Sequence, residues 1–235
     1  MKTIPLAGAL KGTAMATLVA CSATNAATVF TENFPTTTVL ADKPNSYLGG
    51  YYGSHLSFGE WVRSGPTITL PSESLQVSSD SGFRSAAVLL SPTLFPSAGN
   101  YKVTFDITTY SGDANDTATV SVWSGSGYDL THSSGSALIL NSQTGQLQAL
   151  GSASSSLLAS STYSAAGNAI TLDFSYDGSS TIALFFAATT GGYPFPTVRY
   201  DNVSISNATV VPEPTAVAVL SFALAGGLLR RRRSA

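Results

Sequence analysis

The sequence predicts an all-β fold, an antiparallel β-sandwich of jelly-roll-like form, over residues 27–209. Several segments alternate apolar and polar residues with a period of two, which is the pattern of half-buried strands. Turn-forming Gly, Ser, Asn and Asp separate about ten such short segments, as in sandwiches and barrels. No segment of this region has helical spacing long enough to predict a helix.

The clearest strands are expected in the middle and second half of the chain. Tyr101 to Thr108, Thr119 to Trp123 and Ile170 to Tyr176 alternate apolar and polar residues. Ser180 to Ala188 is apolar on both faces, so we expect a central strand that is covered on both sides. The turn signal Asp177-Gly178-Ser179-Ser180 predicts a hairpin between the last two of these strands. Weaker strands are expected at residues 29–34, 56–62, 67–70, 86–90, 137–140 and 199–206.

Residues 1–26 resemble a secretory signal peptide. Lys2 and Lys11 give a positive start, a short apolar stretch follows, and small residues precede an expected cleavage after Ala26. The only cysteine, Cys21, lies in a sequence that also matches a lipobox, so a lipid-modified N-terminus is the alternative to its removal with the peptide. If the peptide is removed, the mature chain has no cysteine and therefore no disulfide.

Residues 210–235 combine three features in a fixed order. The motif Pro212, Glu213, Pro214 ends any preceding strand, because proline lacks an N–H group and fixes φ. Residues 215–229 are small and apolar and predict a short transmembrane helix, which would span about 22 Å of the roughly 30 Å of hydrocarbon. Positive residues flanking such a helix stay on the cytoplasmic side. Here they are Arg230, Arg231, Arg232 and Arg233.

This order of features resembles the PEP-CTERM sorting signal of Gram-negative bacteria. Proteins with such a tail resemble substrates of exosortase, a membrane cysteine transpeptidase that removes the tail during export. The resemblance implies exosortase as a processing partner, transient anchoring in the inner membrane, and a final location at the cell surface or in the extracellular matrix. It also implies an association with exopolysaccharide and biofilm. It gives a destination for the protein and no molecular activity.

The charge of the expected mature chain excludes one class of partner. Only 10% of the whole chain is charged, against about 25% in ordinary globular proteins. Between Thr28 and Val211 there are twelve acidic and five basic residues, a net charge of −7. Nucleic-acid binding needs clustered Lys and Arg, so we expect no nucleic-acid partner.

The two ends of the sandwich region resemble galactose-binding-like jelly rolls, a group that includes many carbohydrate-binding modules. The resemblance is carried by Phe30 to Phe34 at the start and by Val198 to Ile205 at the end. It implies that the first and last strands pair, and that Asp201, with Glu32 as its companion, helps to hold a structural calcium. Calcium prefers about six to eight oxygen ligands and only two carboxylates are visible, so a plain turn at Asp201 is the alternative.

Catalytic motifs are missing from the sequence. His55 and His132 have no zinc-ligand spacing around them, and no Gly-x-Ser-x-Gly elbow is present. Glu60 and Glu73 are the only glutamates well inside the domain that could form a glycosidase pair, and neither has a recognisable setting. The segment from Asp113 to Asp116 resembles part of a calcium loop but lacks its glycine and distal glutamate, so we expect a hairpin turn there. We therefore expect no enzymatic activity.

Aromatic residues give the strongest binding hypothesis. Trp123 shares a strand face with Thr119 and Ser121, so its indole would lie on a polar face where a sugar ring could stack. The alternative is that Trp123 covers the edge of the core. Loops at the ends of a sandwich commonly carry binding sites. The candidate contacts in Gly-rich loops are Tyr51, Tyr52 and Tyr193.

Two functions are compatible with these features. The first is an exported, exosortase-sorted surface or matrix protein whose non-catalytic sandwich has a structural role. The alternative is a carbohydrate-binding module that binds exopolysaccharide. A face of only Ser and Thr would favour the first function, and exposed aromatic side chains on one concave face would favour the second.

Overall fold

The computed structural model describes residues 26–208, apart from 44, 50–55, 80–81, 132, 192 and 194. The predicted signal peptide and Cys21, the sorting tail with its transmembrane helix, and the loop tyrosines Tyr51 and Tyr52 lie outside the described residues. Within them, no helix is long and apolar enough to cross a membrane.

The predicted fold class is confirmed, since the described residues form an almost entirely β structure. Two short 3₁₀ turns, Pro71–Glu73 and Pro92–Leu94, are the helical segments among them. The strands are β1 (Thr28–Glu32), β2 (Leu40–Asp42), β3 (Asn45–Leu48), β4 (Trp61–Arg63), β5 (Ile68–Thr69), β6 (Leu75–Ser78), β7 (Phe83–Leu90), β8 (Gly99–Ser111), β9 (Thr117–Ser126), β10 (Ala137–Asn141), β11 (Gln146–Leu150), β12 (Ser154–Tyr163), β13 (Gly167–Tyr176), β14 (Thr181–Thr189) and β15 (Thr197–Asn207).

The strands form three layers. The front sheet has the order β13-β8-β15-β6-β5, with β1 also paired to β15. The central sheet has the order β12-β9-β14-β7-β4-β2, and the small cover sheet has the order β11-β10-β3. Neighbouring strands are antiparallel except for β2 and β4. The main core lies between the front and central sheets, and a second apolar cluster lies between the central and cover sheets.

Strand β14 is the centre of this arrangement. Ile182, Leu184 and Phe186 point into the main core, while Ala183 and Phe185 point into the second cluster. Both faces are therefore covered, which explains why the sequence of β14 is apolar without alternation. The prediction of a central, doubly covered strand is confirmed.

The main core is rich in aromatic contacts around Tyr200. This side chain is fully buried, with ring centroids 4.8 Å from Phe186 and 6.3 Å from Phe105. Its hydroxyl donates to the carbonyl oxygen of Ala187 over 2.6 Å, which satisfies the polar group inside the core. Burial raises the pKa of the Tyr200 phenol, so the side chain stays neutral.

The first and last strands pair, as the jelly-roll resemblance implies. Glu32 lies opposite Val203 and Thr28 lies opposite Ser206. At the last residue of β15, the backbone N–H of Asn207 donates to the carbonyl oxygen of Ala27 over 2.9 Å. The chain therefore enters and leaves the sandwich at the same end.

The two predicted hairpins are wrong. The turn at Asp177 to Ser180 joins β13 of the front sheet to β14 of the central sheet, and the turn at Asp113 to Asp116 joins β8 to β9 in the same way. Both are arches that cross between layers. A turn sequence specifies a reversal of the chain, but it does not decide whether the next strand pairs with the previous one or packs above it.

Some strand boundaries also differ from the prediction. Residues Leu56 to Glu60 are irregular, and β4 begins only at Trp61. The irregular backbone explains why Glu60, which alternation would direct inward, remains partly exposed. Strands β2, β3, β6, β11 and β12 were not predicted, because they are very short or, in β12, a run of serine and small residues without alternation.

Candidate functional site

Among the described residues, the two most exposed aromatic side chains belong to the loop between β14 and β15. Tyr193 is 85% exposed and Phe195 is 44% exposed. Their ring centroids are 5.7 Å apart and their planes are nearly perpendicular, at 82°. The two rings contact each other edge to face, yet most of the Tyr193 surface and nearly half of the Phe195 surface stay in solvent, so this patch is a candidate interaction site. We call these two residues the aromatic pair.

The loop that carries the aromatic pair is fixed to the arch between β8 and β9. The Asp116 carboxylate accepts hydrogen bonds from the backbone N–H of Gly191 over 3.0 Å and from that of Asp113 over 2.7 Å. Gly191 packs so closely on the arch that a Cβ atom there would overlap the side chain of Asn115. Although it lies in a loop, Gly191 is therefore held in place, two residues before Tyr193.

The Asp116 carboxylate can accept these hydrogen bonds because it is ionised although it is buried. Its side chain is only 1% exposed. Burial raises the pKa of this carboxyl, but hydrogen bonds from the Asp113 and Gly191 backbones and from the Thr190 side chain outweigh it, and the pKa lies below its ordinary value. The hydroxyl of Tyr110 donates to the backbone oxygen of Asp116 over 2.7 Å, and burial, together with the nearby carboxylates, raises the pKa of this phenol.

Trp123 lies in the second of the two settings that the sequence predicts for it. Alternation places it correctly on the side of the central sheet opposite Val122, and its Nε1–H donates to Ser121 Oγ over 3.3 Å. That side, however, is covered by the cover sheet, and the half-buried indole packs against the second apolar cluster together with Tyr128. This is the alternative in which Trp123 covers a core edge. A role of Trp123 in glycan binding stays a prediction.

Glu32 and Asp201 make separate structural contacts. Glu32 accepts hydrogen bonds from the backbone N–H of Phe34 over 2.7 Å and from Trp61 Nε1–H over 3.1 Å. Asp201 accepts from the backbone N–H of Asn202 over 2.7 Å, at an irregularity of β15 where Asn202 has a φ of 50°. No group of three or more His, Cys, Asp or Glu residues that could hold a metal occurs among the described residues. The residues thus do not form a visible ligand set, and calcium at this pair stays a prediction.

A small polar cleft lies beside Glu32, at the edge formed by β1, β2 and β4. It has a volume of about 340 Å³ and is lined by residues that include Glu32, Val39 and Glu60. Glu60 forms an ion pair with Lys43 over 2.7 Å and accepts from the backbone N–H of Ser57 over 3.2 Å. Both glutamates are thus engaged by protein groups, Glu32 by Phe34 and Trp61 and Glu60 by Lys43 and Ser57.

Comparisons with known proteins found distant similarity to solved structures. No protein-family model matches the chain, and no curated protein matches it. One similar solved structure comprises the CBM22-1 and GH10 modules of Clostridium thermocellum endo-1,4-beta-D-xylanase 10B complexed with xylohexaose. It is 13% identical with a TM-score of 0.35, and the match covers 77% of this chain and 28% of that one. The present chain thus spans less than a third of that structure.

A second similar structure is the C-terminal family 22 carbohydrate-binding module of the same Clostridium thermocellum xylanase. It is 14% identical with a TM-score of 0.36, and the match covers 78% of this chain and 95% of that one. At these identities and scores no residue or ligand carries over to the present chain.

Proposed function

We propose that this chain is an exported, non-catalytic surface or matrix protein whose sandwich binds polysaccharide through the aromatic pair. The observation that carries the proposal is the exposure of Tyr193 and Phe195, at 85% and 44%, close in sequence to Gly191, which the buried Asp116 holds in place. The export part of the proposal is supported by the signal-peptide and PEP-CTERM resemblances of the two chain ends.

The chemistry of the pair suits a sugar ring. Each aromatic ring offers an apolar face, and the Tyr193 hydroxyl can donate to or accept from a sugar hydroxyl. Each ring contact or hydrogen bond contributes about 1 kcal/mol net, so a single site should bind weakly. Many copies on one surface would compensate through multivalency.

The position of the pair also fits a surface protein. Tyr193 precedes β15, whereas the chain leaves the sandwich after Asn207 at the other end of that strand. A strand of 11 residues spans about 35 Å. A sandwich attached to a surface through its C-terminal side therefore has the aromatic pair at the end far from the point of attachment.

A purely structural role is the second candidate. The observation in its favour is the exposed surface of β12 and β13, which consists mainly of hydroxyl side chains. Its exposed members include Ser154, Ser156, Ser160, Thr162, Thr171 and Ser175. A surface of this kind offers hydrogen bonds but no stacking platform.

Retention on the exopolysaccharide of the producing organism separates the two candidates. We expect Tyr193→Ala and Phe195→Ala each to weaken retention by about fivefold, the equivalent of about 1 kcal/mol. Leu130→Ala is the matched control, since Leu130 is also apolar and 61% exposed but lies in another loop. Its retention should equal that of the wild type.

Three outcomes of the retention experiment would contradict the proposal. Equal retention of all variants would exclude the aromatic pair, and a loss with Trp123→Ala alone would move the site to the central sheet. If the folded wild type is not retained at all, the structural role replaces the binding role.

A further inference from the structure

Two long strands form unpaired sheet edges on the same side of the sandwich. β12, with ten residues, pairs with β9 and with no other strand among the described residues. β13 follows directly and is the corresponding edge of the front sheet, paired with β8. The two strands also contact each other. One side of the molecule thus presents two long rows of backbone N–H and C=O groups.

The opposite edges are blunted in the ways that usually prevent strand addition. β5 has two residues and is followed closely by Pro71, while β2 has three residues and carries Asp42. β1 carries Glu32 at its end. Short length, proline and charge all hinder the pairing of an edge with another chain.

β12 has none of these protective features. It contains no proline, and no Asp, Glu, Lys or Arg occurs anywhere between Asp129 and Asp173. Its Leu157 is 51% exposed. Beside it lies a groove of about 650 Å³ whose lining includes the apolar Leu157, Leu158 and Phe174 and the charged Lys102 and Asp173 of the front sheet. A long edge strand that has no charge of its own and carries an exposed leucine is a template for another strand.

We propose that β12 pairs with β12 of a second copy of this chain, antiparallel about a twofold axis. A twofold contact needs a surface that complements itself, and two antiparallel copies of one strand supply this through their backbones. Charge favours the same partner. The expected mature chain has a net charge of −7, so most approaches of two copies are repulsive, but β12 itself carries no charge, and in the groove beside it Lys102 offsets Asp173.

Such pairing has a structural consequence. The six-stranded central sheets of the two copies become one continuous sheet across the contact. The aromatic pair is not part of the contact, because it lies in the loop between β14 and β15. An experiment can therefore contradict self-association without contradicting glycan binding, and the reverse.

Sedimentation of the purified full chain in detergent tests the proposal. We expect a wild-type dimer that dissociates on dilution, and at least a tenfold higher dimer Kd for the double variant Leu157→Lys with Ser160→Lys. Both positions are solvent-exposed, so the folded chain should tolerate them. Thr31→Lys with Thr69→Lys is the matched control, since it adds the same charge to exposed positions of other edges. The control should dimerise like the wild type.

A cross-linking measurement covers the case in which the lysine variant does not fold. In a Cys21→Ser background, Ser160→Cys should form disulfide-linked dimers under mild oxidation, whereas Thr69→Cys should not. A wild type that is monomeric at every concentration would overturn the proposal, and so would equal cross-linking at the two positions. Equal dimerisation of the two lysine variants would place the contact elsewhere and overturn it as well.

Discussion

Asp116 shows how one side chain can connect distant parts of the chain. Its carboxylate joins the arch that follows β8 to the loop that follows β14, through the N–H groups of Asp113 and Gly191. Those N–H groups lie where the backbone has no strand partner, so an acceptor must come from a side chain. A buried anion with several donors is the simplest solution, and it positions the loop of the aromatic pair.

We expect Asp116→Ala to destabilise the protein by about 1–3 kcal/mol, because it leaves buried N–H donors without an acceptor. Urea unfolding, followed through the fluorescence of the buried Trp61, would measure this loss. Asp113→Ala is the control in the same arch. Asp113 is exposed and accepts from the backbone N–H of Asn115, so its loss should cost about 0.5 kcal/mol or less. Equal effects of the two substitutions would contradict the role of Asp116.

The same substitution should change the pH dependence of stability. The folded pKa of Asp116 lies below its ordinary value, so its contribution is complete above the unfolded pKa of about 3.9 and is lost as pH falls through the folded pKa. The variant should therefore lose less stability than the wild type on acidification below about pH 4. Some loss remains, because hydrogen bonds to Asp129 and Asp177 outweigh desolvation and lower their pKa values too.

For single residues, the sequence predicts whether a side chain is exposed better than it predicts which groups that side chain contacts. The sequence predicts Tyr193 as a contact because it lies in a loop at a sandwich end, and the structure leaves it exposed. Burial of Asp116 cannot be predicted in the same way, because its acceptor role depends on Gly191, which is remote in the chain. Trp123 was placed on the correct strand face, but whether that face is covered depends on a third layer.

The cover sheet is the element that most distinguishes this sandwich from a two-layer one. It packs on the central sheet at β9, where Gly125 lies beneath Leu138 and Leu147. A Cβ atom at position 125 would overlap the Leu138 side chain and lie 2.8 Å from Leu147 Cδ2. The absence of a side chain at Gly125 therefore allows the third layer to approach.

We expect Gly125→Ala to lower the free energy of unfolding by about 1–2 kcal/mol, since displacement of two packed leucines exceeds the gain from a less flexible unfolded chain. Gly65→Ala is the matched control, because an added Cβ there meets only Arg84 Nε, at 3.9 Å. The control should be neutral or slightly stabilising. Equal unfolding midpoints for the two variants would show that the cover sheet accommodates the methyl group without strain.

Strands whose own sequence shows a clear apolar pattern can be predicted. Strands and turns whose conformation depends on neighbouring strands cannot. β8 and β13 alternate clearly and β14 is apolar on both faces, so burial pattern and sequence pattern agree. β12 is a strand because β9 pairs with it along its length, apart from one register shift between Leu157 and Ala159, although its own sequence lacks alternation. The two arches are predicted as hairpins because the turn sequence does not show that the next strand enters another sheet. That choice depends on strands that are distant in the chain.

The surfaces proposed for attachment, glycan contact and self-association lie on different parts of the sandwich. The first and last described strands meet at one end, where Asn207 bonds to Ala27. The aromatic pair lies at the other end, and the uncharged β12 edge lies along one side. Attachment, glycan contact and self-association would therefore not compete for the same surface, which suits a protein that works in many copies on a surface or in a matrix.

The chain ends carry the last prediction. The signal-peptide resemblance of residues 1–26 and the PEP-CTERM resemblance of residues 210–235 imply that export removes both segments. Intact-mass measurement of the protein released from the cell surface should therefore give a species that begins near Ala27 and lacks Arg230 to Arg233. Pro212→Ala with Glu213→Ala should leave the tail in place if the motif directs the cleavage, whereas Thr215→Ala, just outside the motif, should be processed normally. A surface species that retains the four arginines would exclude sorting by this signal, and one that begins at an acylated Cys21 would make the protein a lipoprotein.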